Sequence, residues 1–476
     1  MTFSTAARRA GRHGALPVVV AVSLAQVVVV VDVYSLTVAL PRMAEDLGVT
    51  TTDLQWVITA YMLAFASLMV IGGRIGDVFG RRRTLVTGLV IFGVASAACG
   101  LAPGAEWIVA FRVVQGIGAA LLVPTSLAAL AAAVPADRRS WTIGIVMGVA
   151  SVGNAIGPFV GGALTGTVGW RWVFLVNVPI VIAAVLLTLR VMDESRDQTA
   201  PRRLDVAGCG ALAAGIVLLA LGIDRASAWG VAPTAVTLGA AALLLAAFVL
   251  VERRATAPIV DLRLVRGREF REVLIAGCLD NYGWAVTVFG VTIYLQQVQG
   301  LSPLEAGTAF IAMSIGTAIG GPLSGRLLQA LPARTVMFGA LVTGVAGLLW
   351  LAAGPPLVLY LLALVVTGLG VGLAYSTATI ATIAAVPPEH AGAASGITLT
   401  ALVLTAAIAV TSAGVIIEGF SAGGGSAPEA GAIEHVLHIG ALAAALGAAM
   451  LAPSLVRRTG RPGRARARRA EAASAP

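Results

Sequence analysis

The sequence contains no lysine, and all 32 of its basic residues are arginine. A P-loop sets a lysine on the nucleotide phosphates, and no GxxxxGK occurs, which excludes ATP hydrolysis by that route. Schiff-base catalysis needs a lysine amine and is excluded too. Charge of either sign is scarce: 12% of residues are charged, where a soluble domain carries roughly 25%. The three cysteines, Cys99, Cys209 and Cys278, stand singly in apolar stretches without CxxC spacing or histidine partners. They predict neither a metal site nor a disulfide. The four histidines lie near termini or loops, and no HExxH, GxSxG or paired-carboxylate pattern falls on a polar segment. The sequence therefore predicts no enzyme, no metal and no cofactor.

What is present is apolar. Of 476 residues, 58% are hydrophobic, and the mean hydropathy is +0.92. A bilayer core of ~30 Å needs about 20 apolar residues per helical span. Fourteen apolar segments of that length follow one another, from about 16–40 to 436–456, the least distinct being 206–223 and 232–251. The first follows a basic start that mimics a signal peptide. It runs to Leu40 and contains Asp32, which is too long for a cleaved segment and predicts an uncleaved span.

Arginine placement orients these spans. With both termini cytoplasmic, 28 arginines fall inside, three (Arg42, Arg171, Arg225) outside, and Arg112 within a span. The positive-inside rule favours this arrangement over any odd number of spans. The tail "RRTGRPGRARARRAEAASAP" reads as a topology anchor beside anionic lipid, in preference to a nucleic-acid arm. Residues 418–435 read as a flexible outer loop, and 257–271 as a short interfacial helix.

The stretch Gly72–Arg83, "GGRIGDVFGRRR", concentrates five charges in a short turn between two spans. Glycines let backbones approach closely, and Arg81, Arg82 and Arg83 fix orientation. Asp77 is unexplained by orientation alone. An acid in a basic turn implies pairing with an arginine or with the N-terminus of a neighbouring helix.

Gly73-Arg74-Ile75-Gly76-Asp77-Val78-Phe79-Gly80-Arg81-Arg82 resembles the loop 2–3 signature of the major facilitator superfamily, G-x-L-A-D-R-x-G-R-R. It departs from that pattern at Ile75, Gly76 and Val78. "FRVVQGIGAA", with Arg112, Gln115, Gly116 and Gly118, is similar to the family's R-x-x-Q-G-x-G-A-A. "GNAIGPFVGG", with Gly153, Gly157, Pro158, Gly161 and Gly162, resembles the antiporter signature of the fifth helix. "VDVYSLTVALP" keeps Asp32 and Pro41 of a first-helix pattern, with Tyr34 and Thr37 at positions where Thr and Asn are usual. "GWRWVFLVNVP" and "YLQQVQGLSPLEAG" are similar to the fourteen-span drug:proton antiporter branch.

The resemblance implies an all-α membrane protein of the major facilitator fold. Two six-helix halves, 16–190 and 273–456, would flank two inserted helices and a cytoplasmic loop in 191–272, with a cytoplasmic segment 1–15 and a basic tail 457–476. In the second half, "GGPLSGRLLQALPARTV" is a faded copy of the turn signature, with Gly325 in the place of Asp77. The implied function is proton-driven export of drugs, antibiotics or similar amphipathic molecules by alternating access from a bacterial cell membrane. The alternative is proton-coupled export of one endogenous metabolite. Small molecules, protons and lipid are the expected partners, nucleic acid is not, and the protein is expected to be monomeric. Gly73, Asp77, Gly80, Arg81, Arg82 and Asp137 would form an inside latch.

Two buried polar groups follow from the residues themselves. A carboxylate near the centre of a span costs ~2.5–3.5 kcal/mol on insertion scales, so such groups are usually functional. Asp32 lies ~13 Å from the end of its span at Pro41, and Arg112 lies ~9 Å deep in the fourth span. They form an expected proton-coupling pair, acting directly or through Gln115. Asp280 lies ~13 Å beyond Arg271. With Asn281, Tyr282 and Trp284, and with Tyr34 and Gln115, it is expected to line a substrate site favouring cations. Asp280 and Trp284 share a helical face. Gly153, Gly157 and Gly161 recur every four residues and predict a tight helix contact, with Pro158 bending the helix.

Overall fold

The protein is described by a computed structural model over residues 15–49, 51–196, 205–225, 229–254, 267–301, 303–387, 390–421 and 430–459. The expected N-terminal segment, most of loop 257–271, the centre of the expected outer loop (422–429) and the tail from 460 lie outside the described residues, while 418–421 and 430–435, expected in that loop, are helical.

The apolar segments are helices. In chain order they are α1 (Ala15–Leu47), α2 (Thr51–Phe79), α3 (Arg81–Gly100), α4 (Ala105–Ala133) and α5 (Ala136–Thr167). There follow a short α6 (Arg171–Leu175), α7 (Asn177–Val191), α8 (Val206–Asp224), α9 (Val231–Glu252) and α10 (Arg268–Ile293), which ends in a π turn, Tyr294–Val298. The last five are α11 (Pro303–Ala330), α12 (Ala333–Ala352), α13 (Leu357–Ala384), α14 (Ala391–Ser421) and α15 (Ala430–Thr459). Among the described residues, eleven helices are long and apolar enough to cross a membrane, and two shorter apolar stretches fall at Ala207–Ile223 and Ala391–Ala406. The first helix is longer than expected. It continues through Pro41 to Leu47, so Pro41 is not its end.

Local chemistry sets several boundaries. Pro135, Pro332 and Pro356 stand at N-cap positions, where the missing N–H costs nothing. Asp205 caps α8 by accepting from the Gly208 amide at 2.9 Å. Gly80 turns α2 into α3 at φ +118°, a conformation open to glycine.

The helices pair in a repeating order. In the first series α1 packs on α5, α2 and α3 on α4, and α1 and α3 on α7. In the second, α10 packs on α14, α11 and α12 on α13, and α10 and α12 on α15. Two seams join the series, α2 with α14 and α5 with α11. The α8–α9 hairpin rests on α2 and α14 through Leu212, Ile216 and Phe248, so one seam is covered from outside.

Lipid tails are as apolar as leucine, so close backbone approach has to hold such helices together. The expected stripe on α5 does this. A Cβ on Gly153 would stand 3.2 Å from Val30, and one on Gly157 would stand 2.7 Å from the Tyr34 Cβ. Gly161 meets the backbone of Ser35. Gly162 is half-buried. The side chain of Pro158 lies outside the described residues.

Candidate functional site

The densest buried polar cluster surrounds Asp32. Four of its side chains, Asp32, Arg112, Gln115 and Asn177, are each at most 1% exposed. Arg112 and Gln115 are one helical turn apart on α4, so both reach α1. Arg112 pairs through Nη1 with Asp32 Oδ2 and also donates to Gln115 Oε1 at 2.9 Å. Gln115 donates to Asp32 Oδ1 at 3.0 Å. Asn177, the first residue of α7, donates to the same oxygen at 2.7 Å and to Ser96 Oγ of α3 at 3.0 Å. From α2, the Val57 carbonyl accepts from Arg112 Nε at 2.9 Å, and the Tyr61 ring lies 4.0 Å beneath the guanidinium. Five helices thus converge on one charge pair. Each charge is compensated and hydrogen-bonded, the condition under which a buried ion pair is tolerated. Among the described residues, three polar atoms here remain without partners: Arg112 Nη2, Asn177 Oδ1 and the Tyr61 hydroxyl.

Asp77 forms the second cluster, paired with an arginine and with a helix N-terminus. Its Oδ1 accepts from Arg81 Nη2 at 2.7 Å and Nε at 3.0 Å. Across the seam, the Gly392 amide donates to Oδ1 at 3.1 Å and the Ala393 amide to Oδ2 at 2.9 Å. These are first-turn amides of α14, where unpaired N–H groups and the helix dipole favour an anion. Gly73 permits the approach, because a Cβ there would meet the Gly392 carbonyl. Gly80 and Arg82 join through Glu194, just past α7. The Arg82 and Arg83 amides donate to its carboxylate at 3.1 and 3.2 Å, and Arg82 Nη2 donates to the Leu189 carbonyl at 2.5 Å. Val78, where the family has a basic residue, is buried at 2% exposure and carries no charge into the cluster.

Asp137 lies elsewhere. It is exposed at the start of α5, with its carboxylate 3.9 Å from Arg138. Its carbonyl accepts from Gln329 of α11 at 3.2 Å, beside Arg326, which stacks on Trp141 at 4.2 Å. This is the other seam, and there Gly325 packs on the backbone of Ser140 and Trp141 at the start of α5. One seam is closed by a carboxylate on a helix N-terminus, and the symmetric one by direct backbone contact.

The expected substrate residues are dispersed. Tyr34 packs against Gly157 and is an electrostatic neighbour of Tyr375 on α13, so it faces across the two helix series. Gln115 belongs to the Asp32 cluster. Asn281 donates to the Leu402 carbonyl at 2.7 Å, and the Tyr282 hydroxyl meets Ser412 Oγ at 2.7 Å. Trp284 packs into the apolar clusters around Leu348 and Ala409. Asp280 is 4% exposed and turns toward Gly344 of α12. Asp280 and Trp284 do share a face, but that face packs inside the bundle. The geometry therefore does not join Asp280, Asn281, Tyr282 and Trp284 into one surface.

Contributors that escaped the sequence reading include Asn177, Ser96, Tyr61, Glu194 and Tyr375. Asn177 stands inside the family-like stretch "GWRWVFLVNVP", and a lone amide in an apolar run was its available signal. At the opposite end from Asp77, Asp46 accepts from Trp170 Nε1 at 2.9 Å and Arg171 Nη1 at 3.0 Å. These bonds, Trp170 first, hold its carboxyl below the usual range. Arg225 stacks on Trp56 at 4.5 Å at this end.

Comparison with known proteins identifies the family. Residues 22–251 and 273–476 match the family described as Major Facilitator Superfamily. The sequence is similar to the tetracenomycin C resistance and export protein of Streptomyces glaucescens, with 33% identity over 406 residues that take in 84% of this chain and 76% of that protein. It is similar to the puromycin resistance protein of Streptomyces alboniger, with 35% identity over 419 residues, 85% of this chain and 82% of that one. In fold it resembles the human organic anion transporter TETRAN, with a TM-score of 0.67 over 92% of this chain and 99% of that chain, at 16% identity. On the family match and the two bacterial relatives, the chain belongs to the Major Facilitator Superfamily, whose members are multi-pass membrane transporters of small molecules.

Proposed function

We propose that the protein exports antibiotics or similar amphipathic molecules, driven by inward proton movement. The observation that carries this reading is the Asp32–Arg112 pair, an ionisable couple buried among five helices of a membrane transporter. The relatives named for tetracenomycin C and puromycin supply the substrate class. Each name specifies one compound, which favours a narrow self-resistance range as a second reading.

In this reading residues 16–190 and 273–456 are two six-helix halves, and 191–272 carry the two helices that bring the spans to fourteen. The Asp77 end is cytoplasmic. Asp77, Arg81, Arg82, Gly73 and Gly80, joined by Glu194, latch the α2–α14 seam, while Asp137 belongs to the α5–α11 seam. Substrate lies between the halves beside Tyr34 and Gln115. The glycines of α5, with Pro158, seal α1 against leak. Rocking of the halves alternates access. Binding a proton at Asp32 would weaken its attraction to Arg112 and free the cluster to rearrange. Each inward proton contributes ~2.3 kcal/mol per 100 mV of membrane potential.

The test is reconstitution into vesicles with an internal pH dye. A panel including puromycin and tetracenomycin C should elicit proton movement opposite to substrate, and Asp32→Asn should abolish it. Substrate movement without proton flux would overturn the coupling.

A further inference from the structure

Asp280 differs from Asp32 in having no partner among the described residues. No donor or cation among them pairs with its carboxyl, although the residue is buried at 4% exposure. A Cβ on Gly344 would stand 3.4 Å from its Oδ1, and one on Gly370 of α13 would stand 2.5 Å from the Gly344 amide. Asp280 Oδ1 therefore faces the backbone of α12 at Gly344, where Gly370 lets α13 pack closely against the same point.

The ionisable groups around it are otherwise engaged. On α10, Cys278 pairs with Thr405 of α14, and the Tyr282 hydroxyl meets Ser412. Arg334 of α12 pairs with Glu272 at 2.7 Å at the helix end, and Arg268 binds the same carboxylate at 2.7 Å. On α13, Tyr360 stacks on Tyr294 and Tyr375 neighbours Tyr34. Glu434, His435 and His438 of α15 are exposed and lie at the far end of that helix.

An ionised carboxylate without donors or a counter-charge inside a membrane is far costlier than a neutral acid. A cationic substrate could neutralise it, but the carboxyl faces α12 and lies on neither seam. We propose that Asp280 is a second proton-binding carboxyl of the transport cycle. It holds its proton in the present arrangement, while Asp32 is paired with Arg112 and accepts from Gln115 and Asn177. When α10 shifts against α12 and α13 and water enters, the O–H bond breaks, the electron pair stays on the carboxylate and the proton passes to water. The role in the cycle rests on the proton-driven reading above. The protonation state does not.

Infrared difference spectroscopy on the purified protein separates the two. At neutral pH the wild type should show the C=O stretch of a protonated carboxylic acid in an apolar site. Asp280→Asn should remove that band, Asp280→Glu should shift it, and Asp32→Asn should leave it. A band insensitive to both Asp280 substitutions overturns the proposal, and the Glu variant keeps the test decisive where the Asn variant fails to fold. Vesicle efflux of ethidium, a permanent cation, and of chloramphenicol, which is neutral, addresses the cycle. Asp280→Asn should reduce uphill efflux of both at least tenfold while sparing exchange at equal concentrations. Loss confined to ethidium would make Asp280 a cation ligand instead. If the band behaves as expected but no variant shows any proton flux, the exporter reading fails and the assignment of the proton to Asp280 stands.

Discussion

Asn177 of α7 and Gln115 of α4 donate to the same oxygen of Asp32 on α1, at 2.7 and 3.0 Å. Arg112 holds the other oxygen. A carboxylate so placed is a joint between helices as much as a charge, and Asn177 extends it to α3 through Ser96. Any movement of α1 that follows protonation is therefore felt by α4 and α7 together.

Arg112→Met should destabilise the protein more than Arg112→Met combined with Asp32→Asn. Removing one member of a buried pair strands the other at a cost of about 3–5 kcal/mol, whereas replacing both removes the stranded charge. Thermal unfolding of the two single variants and the double variant measures this. Effects that add to within about 0.5 kcal/mol would mean the residues do not interact.

Asp77→Asn should slow export and leave equilibrium substrate affinity within a few-fold of wild type. The substitution keeps one acceptor for the α14 amides but removes the charge that Arg81 and the helix dipole attract. An anion at a helix N-terminus is worth about 0.3–1 kcal/mol, rising to ~2 when partly buried. That is enough to shift the balance of seam-closed and seam-open states several-fold. A large loss of affinity with unchanged turnover would place Asp77 in the substrate site.

Much of this was legible in the sequence. Apolar length locates α8 and α9, expected at 206–223 and 232–251 and found at Val206–Asp224 and Val231–Glu252. Depth arithmetic puts Asp32 and Arg112 in neighbouring layers, and the two side chains meet. What stayed hidden is direction. Spacing tells that Asp280 and Trp284 share a face but not which helix that face meets. Glu194 reads as an ordinary loop acid because the arginines it binds lie 111 and 112 residues away. Pro41 looked like a helix end, yet α1 continues past it.

Single cysteines test the orientation implied by the arginine bias. A cysteine at Ser421 should react with an impermeant thiol reagent on intact cells, and one at Ser474 only after permeabilisation. The three native cysteines require replacement first, and Cys99 is buried. External labelling at Ser474 would invert the topology and put the Asp77 latch on the outer face.

The clasp at the opposite end should respond to acid. Trp170 and Arg171 stabilise the ionised form of Asp46, so its folded-state carboxyl titrates below the usual aspartate value of about 3.9. A group lowered on folding contributes stability above its unfolded value and loses it as pH falls through the lowered one. Asp46→Asn should therefore melt slightly below wild type at neutral pH, and the two curves should converge in strong acid. The effect is small because Asp46 is exposed and its attraction to Arg171 is screened, and added salt should shrink it further. Arg42 and Glu45 pair beside it at 2.7 Å and remain in both variants. Trp170 is buried and leads within two turns into Asn177, so its fluorescence should follow the same transition in wild type and be flat in the variant. A melting difference that widens on acidification would show that the clasp favours the protonated acid, against the hydrogen-bond geometry.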